Sequence, residues 1–178
     1  VGGRVRTDEY EGFLLDRGFQ VLLSAYPEAR KVFTDPALDF QRFYPGSLVY
    51  LENRFHRVAD PYRRFLDALE SFLNPIGTPM DKLRVRSMRQ KALSGRLKDL
   101  FSREEMTALE YLERRGFSRS MMERFFQPFL GGVFLENELE TSSRQLEFVF
   151  RMFAFGDTVI PRYGMGKLAE SLAAQLPE

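Results

Sequence analysis

Two adjacent glycines followed by an arginine, Gly2-Gly3-Arg4, are the residues of this chain best suited to hold an anion. Without Cβ atoms a Gly-Gly pair turns sharply and lets the backbone approach a ligand closely. The guanidinium behind it presents a planar, permanently charged fork that matches phosphate. The same tripeptide also serves in ordinary hairpin turns, so by itself it leaves both readings open. Two further glycine corners follow. One is Asp16-Arg17-Gly18, with Phe19-Gln20-Val21 behind it; the other is Pro161-Arg162-Tyr163-Gly164-Met165-Gly166, ahead of an apolar-periodic segment.

What is absent narrows the chemistry. With no cysteine and a single histidine, His56, the chain has no thiolate nucleophile, no disulfide and no Cys/His zinc site. No metal ligands are assigned, and no triad or general base can be named, so the catalytic residues stay unassigned. That pattern disfavours hydrolases and metalloenzymes. It suits chemistry carried by a bound cofactor, where the protein binds and orients. The charge balance, 26 Lys and Arg against 25 Asp and Glu, exerts no pull toward nucleic acid. Apolar and charged fractions of 44% and 29% are those of a folded chain.

The elements that must position these corners can be read along the chain. Residues 4–10 and 13–16 around Glu11-Gly12 read as a hairpin, and residues 47–51 and 55–59 around Glu52-Asn53-Arg54 as a second. His56, on the return strand of the second, reads as a half-exposed surface residue rather than a catalytic one. Pro27 suits the first position of a helix that Asp35-Pro36 ends, and residues 38–44 read as loop or short helix. Asp60 and Pro61 open a helical region in which residues 62–73 carry one apolar face. A further helix is expected over 78–93 with Leu83, Met88, Ala92 and Leu93 inward. Residues 82–98 hold seven Lys or Arg and no acid. This run reads first as a solvated face, and second as a peripheral contact for an anionic membrane surface. Ser102 and Glu105 form a capping-box pattern for a helix that stops at Gly116. Ser118 or Ser120 caps the next, over 121–127, with Pro128 bending the chain away and residues 133–137 as a connector. Thr141 or Ser142 caps a helix to Phe155. Val159-Ile160 is extended, and residues 168–176 form the last helix.

Taken together, Gly-Gly-Arg-x-x-Thr, a strand, Asp-x-Gly-Phe and the later Pro-x-x-Gly-Met segment resemble the flavin-dependent amine oxidase superfamily. Its members include monoamine oxidases, protoporphyrinogen oxidases and phytoene desaturases. The resemblance implies FAD as cofactor and an α+β chain belonging to an α/β FAD/NAD(P)-binding fold. It would divide the chain into a partial FAD-binding domain at 1–59, a helical substrate region at 60–155, and a return to the FAD domain at 156–178. It also implies that Gly2, Gly3 and Arg4 lie against the FAD pyrophosphate, that Thr7 binds the cofactor, and that Gly18, Phe19, Gln20 and Val21 lie near the ring. Gly164, Met165 and Gly166 would cover the ring from another side. The family's Gly-x-Gly-x-x-Gly and its ribose-binding acid should precede Val1, and a C-terminal Gly-Asp segment should follow Glu178. The chain is therefore expected to be an internal piece.

The 18 Phe and 7 Met bear on substrate. Phe125, Phe126, Phe129, Phe134, Phe148, Phe150, Phe153 and Phe155, with Met121, Met122 and Met152, crowd one stretch. Most are expected to form helical core, and a few to face an apolar cavity. That tilts the expected substrate toward a polyene or porphyrinogen-like ring rather than a small amine. With no apolar run of ~18 residues, the expected location is cytoplasmic, with the basic run as any membrane contact. Two rivals remain: a non-catalytic binder on the same scaffold, and a helical interaction domain. The second requires the first and last segments to lie far apart.

Overall fold

The strands, in chain order, are β1 (Thr7–Tyr10), β2 (Phe13–Asp16), β3 (Leu22–Leu23), β4 (Phe40–Arg42), β5 (Gly46–Leu51), β6 (Arg54–Ala59) and β7 (Thr158–Pro161). The helices are α1 (Pro27–Val32), α2 (Pro79–Leu93), α3 (Leu97–Leu100), α4 (Ala108–Arg114), α5 (Arg119–Met121), α6 (Gln127–Phe134), α7 (Ser143–Phe155) and α8 (Gly166–Ala173). A computed structural model describes residues 1–18, 21–59 and 74–177. Phe19, Gln20, Asp60, Pro61 and the helix expected over 62–73 lie outside the described residues. The chain mixes helix and sheet and divides into two compact units, Val1–Tyr44 with Phe155–Glu178, and Pro45–Ala154.

In the first unit, β1 and β2 pair through Glu11-Gly12, whose φ angles of 50° and 83° give the mirror-image turn that fits strand twist. A three-stranded antiparallel sheet has the order β3-β7-β4, so the late strand β7 sits between two early ones. Residues 38–44, expected to be loop or short helix, supply β4. Phe40 pairs with Pro161 and Gln41 with Ile160, and three residues carry too little pattern to betray a partner so distant in sequence. Pro27 stands at the start of α1 as expected, and Asp35 caps a 3₁₀ turn at Pro36–Leu38 by accepting from the Ala37 N–H. Leu38, Met165 and Leu168 form the small core of this unit, flanked by Val5, Phe33, Phe40 and Ile160.

In the second unit, β5 and β6 join through Glu52-Asn53. This hairpin belongs with the helices by compactness. Val49, Leu51 and Val58 pack on the helical core, while Leu48, Tyr50 and Phe55 face outward. His56 is buried at 7% exposure, not half-exposed. It lies directly opposite Val49, and paired residues share a face, so the register turns it inward. There it accepts a hydrogen bond from Arg54 Nε at 3.2 Å.

Helix α2 is held at both ends by charge. Asp81, with no exposed surface, closes a capping box with Thr78 and accepts from the Ser118 N–H (2.9 Å) and hydroxyl (2.6 Å). At the other end the orphan carbonyls meet two arginines. Arg103 donates to Lys91 O and Ser94 O, and Arg151 to Ala92 O and Gly95 O. Glu147, buried in α7, joins this end by accepting from Arg103 (2.5 Å) and from the Tyr111 hydroxyl, with Lys91 Nζ at 3.5 Å. The basic run is thus partly structural: Lys82 also donates to Asn74 O, and Arg96 pairs with Asp99. Leu83, expected inward, is exposed, whereas Met88 and Ala92 are buried.

Ser102 does not cap a helix. Residues 105–107 run alongside 141–143, with Ala108 N–H on Thr141 O and Ser143 N–H on Met106 O. The α4 cap falls to Thr107, which accepts from the Glu110 N–H, and Gly116 follows the helix at φ 75°. Ser118 caps α5. Pro128 does not bend the chain away. The five residues Met122–Phe126 form a π-helical segment, with the Gln127 N–H on Met122 O, and α6 then runs through Pro128 to Phe134. Proline lacks the N–H and crowds the carbonyl four residues back, and a widened turn relieves both. Phe126, Phe117, Leu130 and Leu146 fill the core, with Phe125, Phe129 and Phe150 against it. The Phe125 and Phe129 rings stack at 5.5 Å. The aromatic-rich stretch is mainly core, as expected. Among the described residues no helix is long and apolar enough to cross a membrane.

Burial alone would raise the Asp81 carboxyl, but hydrogen bonds from Ser118 and Thr78 outweigh it and bring it to about 2, from 3.8 in the free side chain. A depressed carboxylate stabilises the fold above its unfolded pKa and loses that contribution as pH falls through its folded one. Asp81→Asn is therefore expected to cost about 2 kcal/mol at neutral pH. In urea titrations the gap from wild type should shrink between pH 4 and pH 2.

Candidate functional site

The three glycine corners all belong to the first unit. Gly2 and Gly3 have φ of 90° and 54°, and the turn closes with the Val5 N–H on Gly2 O at 2.8 Å. A Cβ on Gly2 would collide with Val5 O and stand 3.0 Å from the Ala169 Cβ, so this corner backs onto α8. A Cβ on Gly3 would meet nothing within 4 Å, and the same holds for Gly18. Arg4 is exposed beside the open Gly3.

Strand β1 connects the first corner to the last. Thr7 and Asp16 face each other at the open end of the hairpin. The Thr7 hydroxyl donates to Asp16 Oδ1 at 2.5 Å, and the same oxygen accepts from the Met165 N–H at 2.9 Å. Thr7 Oγ1 in turn accepts from the Gly166 N–H at 2.9 Å. Gly164, at φ 86°, lies flat against this threonine, and any Cβ there would collide with the Thr7 side chain. On Gly166 a Cβ would come within 2.9 Å of the Thr7 backbone nitrogen. Residues near the two ends of the described chain are therefore clasped together, contrary to what an unrelated helical interaction domain requires.

The expected residues divide accordingly. Thr7, Gly164 and Gly166 meet at the clasp, and Gly2 packs instead against Ala169 of α8. Gly3 and Gly18 are open corners, and Val21 is half-buried just before β3. Met165 is a core residue at 5% exposure, and its N–H, like that of Gly166, is engaged by the hairpin. Asp16 is the acceptor that joins the two segments: Thr7 faces it across the hairpin, and the Met165 N–H reaches it only through tertiary structure, which no local pattern marks. Arg17 and Arg6 share Asp8 at 2.7 Å and 3.3 Å, and the hydrogen bond from Arg17 holds that exposed carboxyl below its ordinary range.

This unit carries open backbone corners at Gly3 and Gly18 and an exposed arginine at Arg4. The sequence model of the family described as flavin containing amine oxidoreductase matches residues 1–178, and the chain belongs to that family. The family is flavin-containing, and FAD is the cofactor it brings. No curated protein matches the chain.

The corners differ in what they tolerate. Gly164→Ala combines a left-handed φ with a collision and should cost about 3 kcal/mol or more. Gly12→Ala, at a similar φ of 83° but with open space around it, should cost about 1 kcal/mol. Chemical denaturation of the two variants side by side checks the difference.

Proposed function

We propose that the chain is part of an FAD-dependent oxidoreductase that takes a hydride equivalent from a large apolar substrate. The observation that carries this is the clasp of Thr7 and Asp16 to Met165 and Gly166, which gathers the motif-bearing segments into one unit. The residues fit the cofactor. Gly3 and Gly18 leave room for a close approach, and the exposed Arg4 provides a fork for the diphosphate. In this reading Gly2, Gly3 and Arg4 lie along the phosphates, Gly18 to Val21 beside the ring, and Gly164 to Gly166 behind it. The flavin, when bound, supplies the acceptor for electrons from a C–H or C–N bond. The chain's own residues bind, orient and exclude water.

The unit Val1–Tyr44 with Phe155–Glu178 serves the cofactor, and Pro45–Ala154 serves the substrate. Support for an apolar substrate comes from the half-buried Phe125, Phe129 and Phe153, with the Phe125 and Phe129 rings 5.5 Å apart and the Phe129 and Phe153 rings 5.7 Å apart. A flat or extended hydrocarbon complements such rings, while a small polar amine gains little from them.

The full protein carrying this chain should purify with bound flavin. Its visible absorption should bleach anaerobically on adding a polyene or porphyrinogen-type substrate. Arg4→Ala should weaken FAD binding by about tenfold, the loss of one charge-assisted phosphate contact. A full-length protein that takes up no flavin would refute the cofactor reading. One that binds flavin but is never reduced by any apolar donor would refute the reaction.

A further inference from the structure

We propose that Asp16 is a positioning residue for the flavin, acting through the Thr7 hydroxyl and the Met165 N–H rather than by touching the cofactor. The inference rests on the flavin reading above and assigns a role that the family match does not.

The geometry starts from the hairpin. Thr7 and Asp16 are cross-strand partners, and the ladder continues beyond them with the Arg17 N–H on Arg6 O at 2.9 Å. Their relative position is thus fixed by backbone pairing before either side chain forms a bond. Asp16 Oδ1 accepts two hydrogen bonds, from Thr7 Oγ1 and from Met165 N, and Thr7 Oγ1 accepts a third from Gly166 N. A carboxylate is the acceptor able to take both donors at once and to strengthen each by its charge. Helix α8 has no side-chain cap of its own, so two of its leading amides depend on groups borrowed from the hairpin.

The same arrangement engages Thr7 on several sides. Its proton is committed to Asp16, its oxygen accepts from Gly166, and Gly164 is packed against its side chain. What the clasp controls is the placement of the corners joined to it. Gly18 stands two residues beyond Asp16, and the Gly2 turn packs on Ala169 of the helix that the clasp caps. Loss of the clasp would let the Gly164 to Gly166 corner and α8 shift against the hairpin, changing the spacing of the open corners Gly3 and Gly18. The ring environment should then change even where the chain remains folded.

The test uses the full-length protein with added FAD. Thr7→Val preserves shape and removes the hydroxyl, Thr7→Ser restores it, and Asp16→Asn leaves an acceptor oxygen without charge. Dissociation constants, the visible circular dichroism of the saturated flavin, and the thermal midpoint of the apoprotein are measured for each. Thr7→Val is expected to weaken FAD binding by at least about tenfold and to alter the flavin dichroism at saturation. Thr7→Ser should restore both, and Asp16→Asn should fall between. Wild-type affinity and dichroism in Thr7→Val would overturn the proposal. So would weaker affinity that merely tracks a lower apoprotein midpoint, with wild-type dichroism at saturation. If Thr7→Val does not fold, Asp16→Asn decides, and wild-type affinity and dichroism there overturn the proposal equally. Absence of flavin from the wild type would instead strike the flavin reading itself.

Discussion

A threonine hydroxyl held between a carboxylate and a backbone amide leaves no room for a side chain on the residue opposite. That constraint organises the first unit. Thr7 bonds Asp16 and Gly166, and Gly164 must then be glycine, because a Cβ would occupy the threonine's own space. Met165 is turned by the same corner into the core beside Leu38 and Leu168. The central strand β7 ends where this corner begins, so sheet, core and corner share one short stretch of chain. Each of these hydrogen bonds is modest alone, on the order of 1 kcal/mol for neutral groups and somewhat more for the carboxylate. Their effect on structure is larger than that sum, because each constrains the partners of the others.

The second unit solves a different problem with the same means. Helix α2 presents unsatisfied N–H groups at one end and unsatisfied carbonyls at the other. Asp81 meets the first and ties it to Ser118 at the start of α5, while Arg103 and Arg151 meet the second. Glu147 neutralises that basic end and lies under Tyr111, whose hydroxyl is pushed well above its usual range by burial first and by the glutamate second. Among the described residues, the buried Asp81, Glu147 and Arg151 side chains are each hydrogen-bonded, as the cost of desolvating an unpaired ion demands. The result is a frame on which aromatic side chains can be ordered.

Much of this was legible from residue order, and the remainder was not for identifiable reasons. Both hairpins are legible in the sequence, although the second turns on Glu52-Asn53 and not on the expected three residues Glu52-Asn53-Arg54. The glycine corners announced themselves because positive φ and close packing leave few alternatives to glycine. Pro27 and Gly116 marked helix ends correctly. By contrast β4 has three residues and a partner far along the chain. Ser102 matched a local capping pattern that lost to pairing between residues 105–107 and 141–143. Pro128 signals a break by its own chemistry, yet a π-helical turn absorbs it. His56 was misplaced because its face depends on register with Val49. Asp16 and Asp81 looked like ordinary acids, since their importance comes from donors that only the folded chain delivers.

Amide hydrogen exchange at Met165 and Gly166 tests the clasp most directly. The first amides of a helix without a cap exchange nearly as fast as those of an open chain. Bound to Asp16 and Thr7, these two should exchange at least about a hundredfold more slowly than the exposed turn at Glu11 and Gly12. Exchange at the rate of that turn would mean that the hairpin does not hold the Gly164 corner, and the cradle built from these glycines would have no fixed shape.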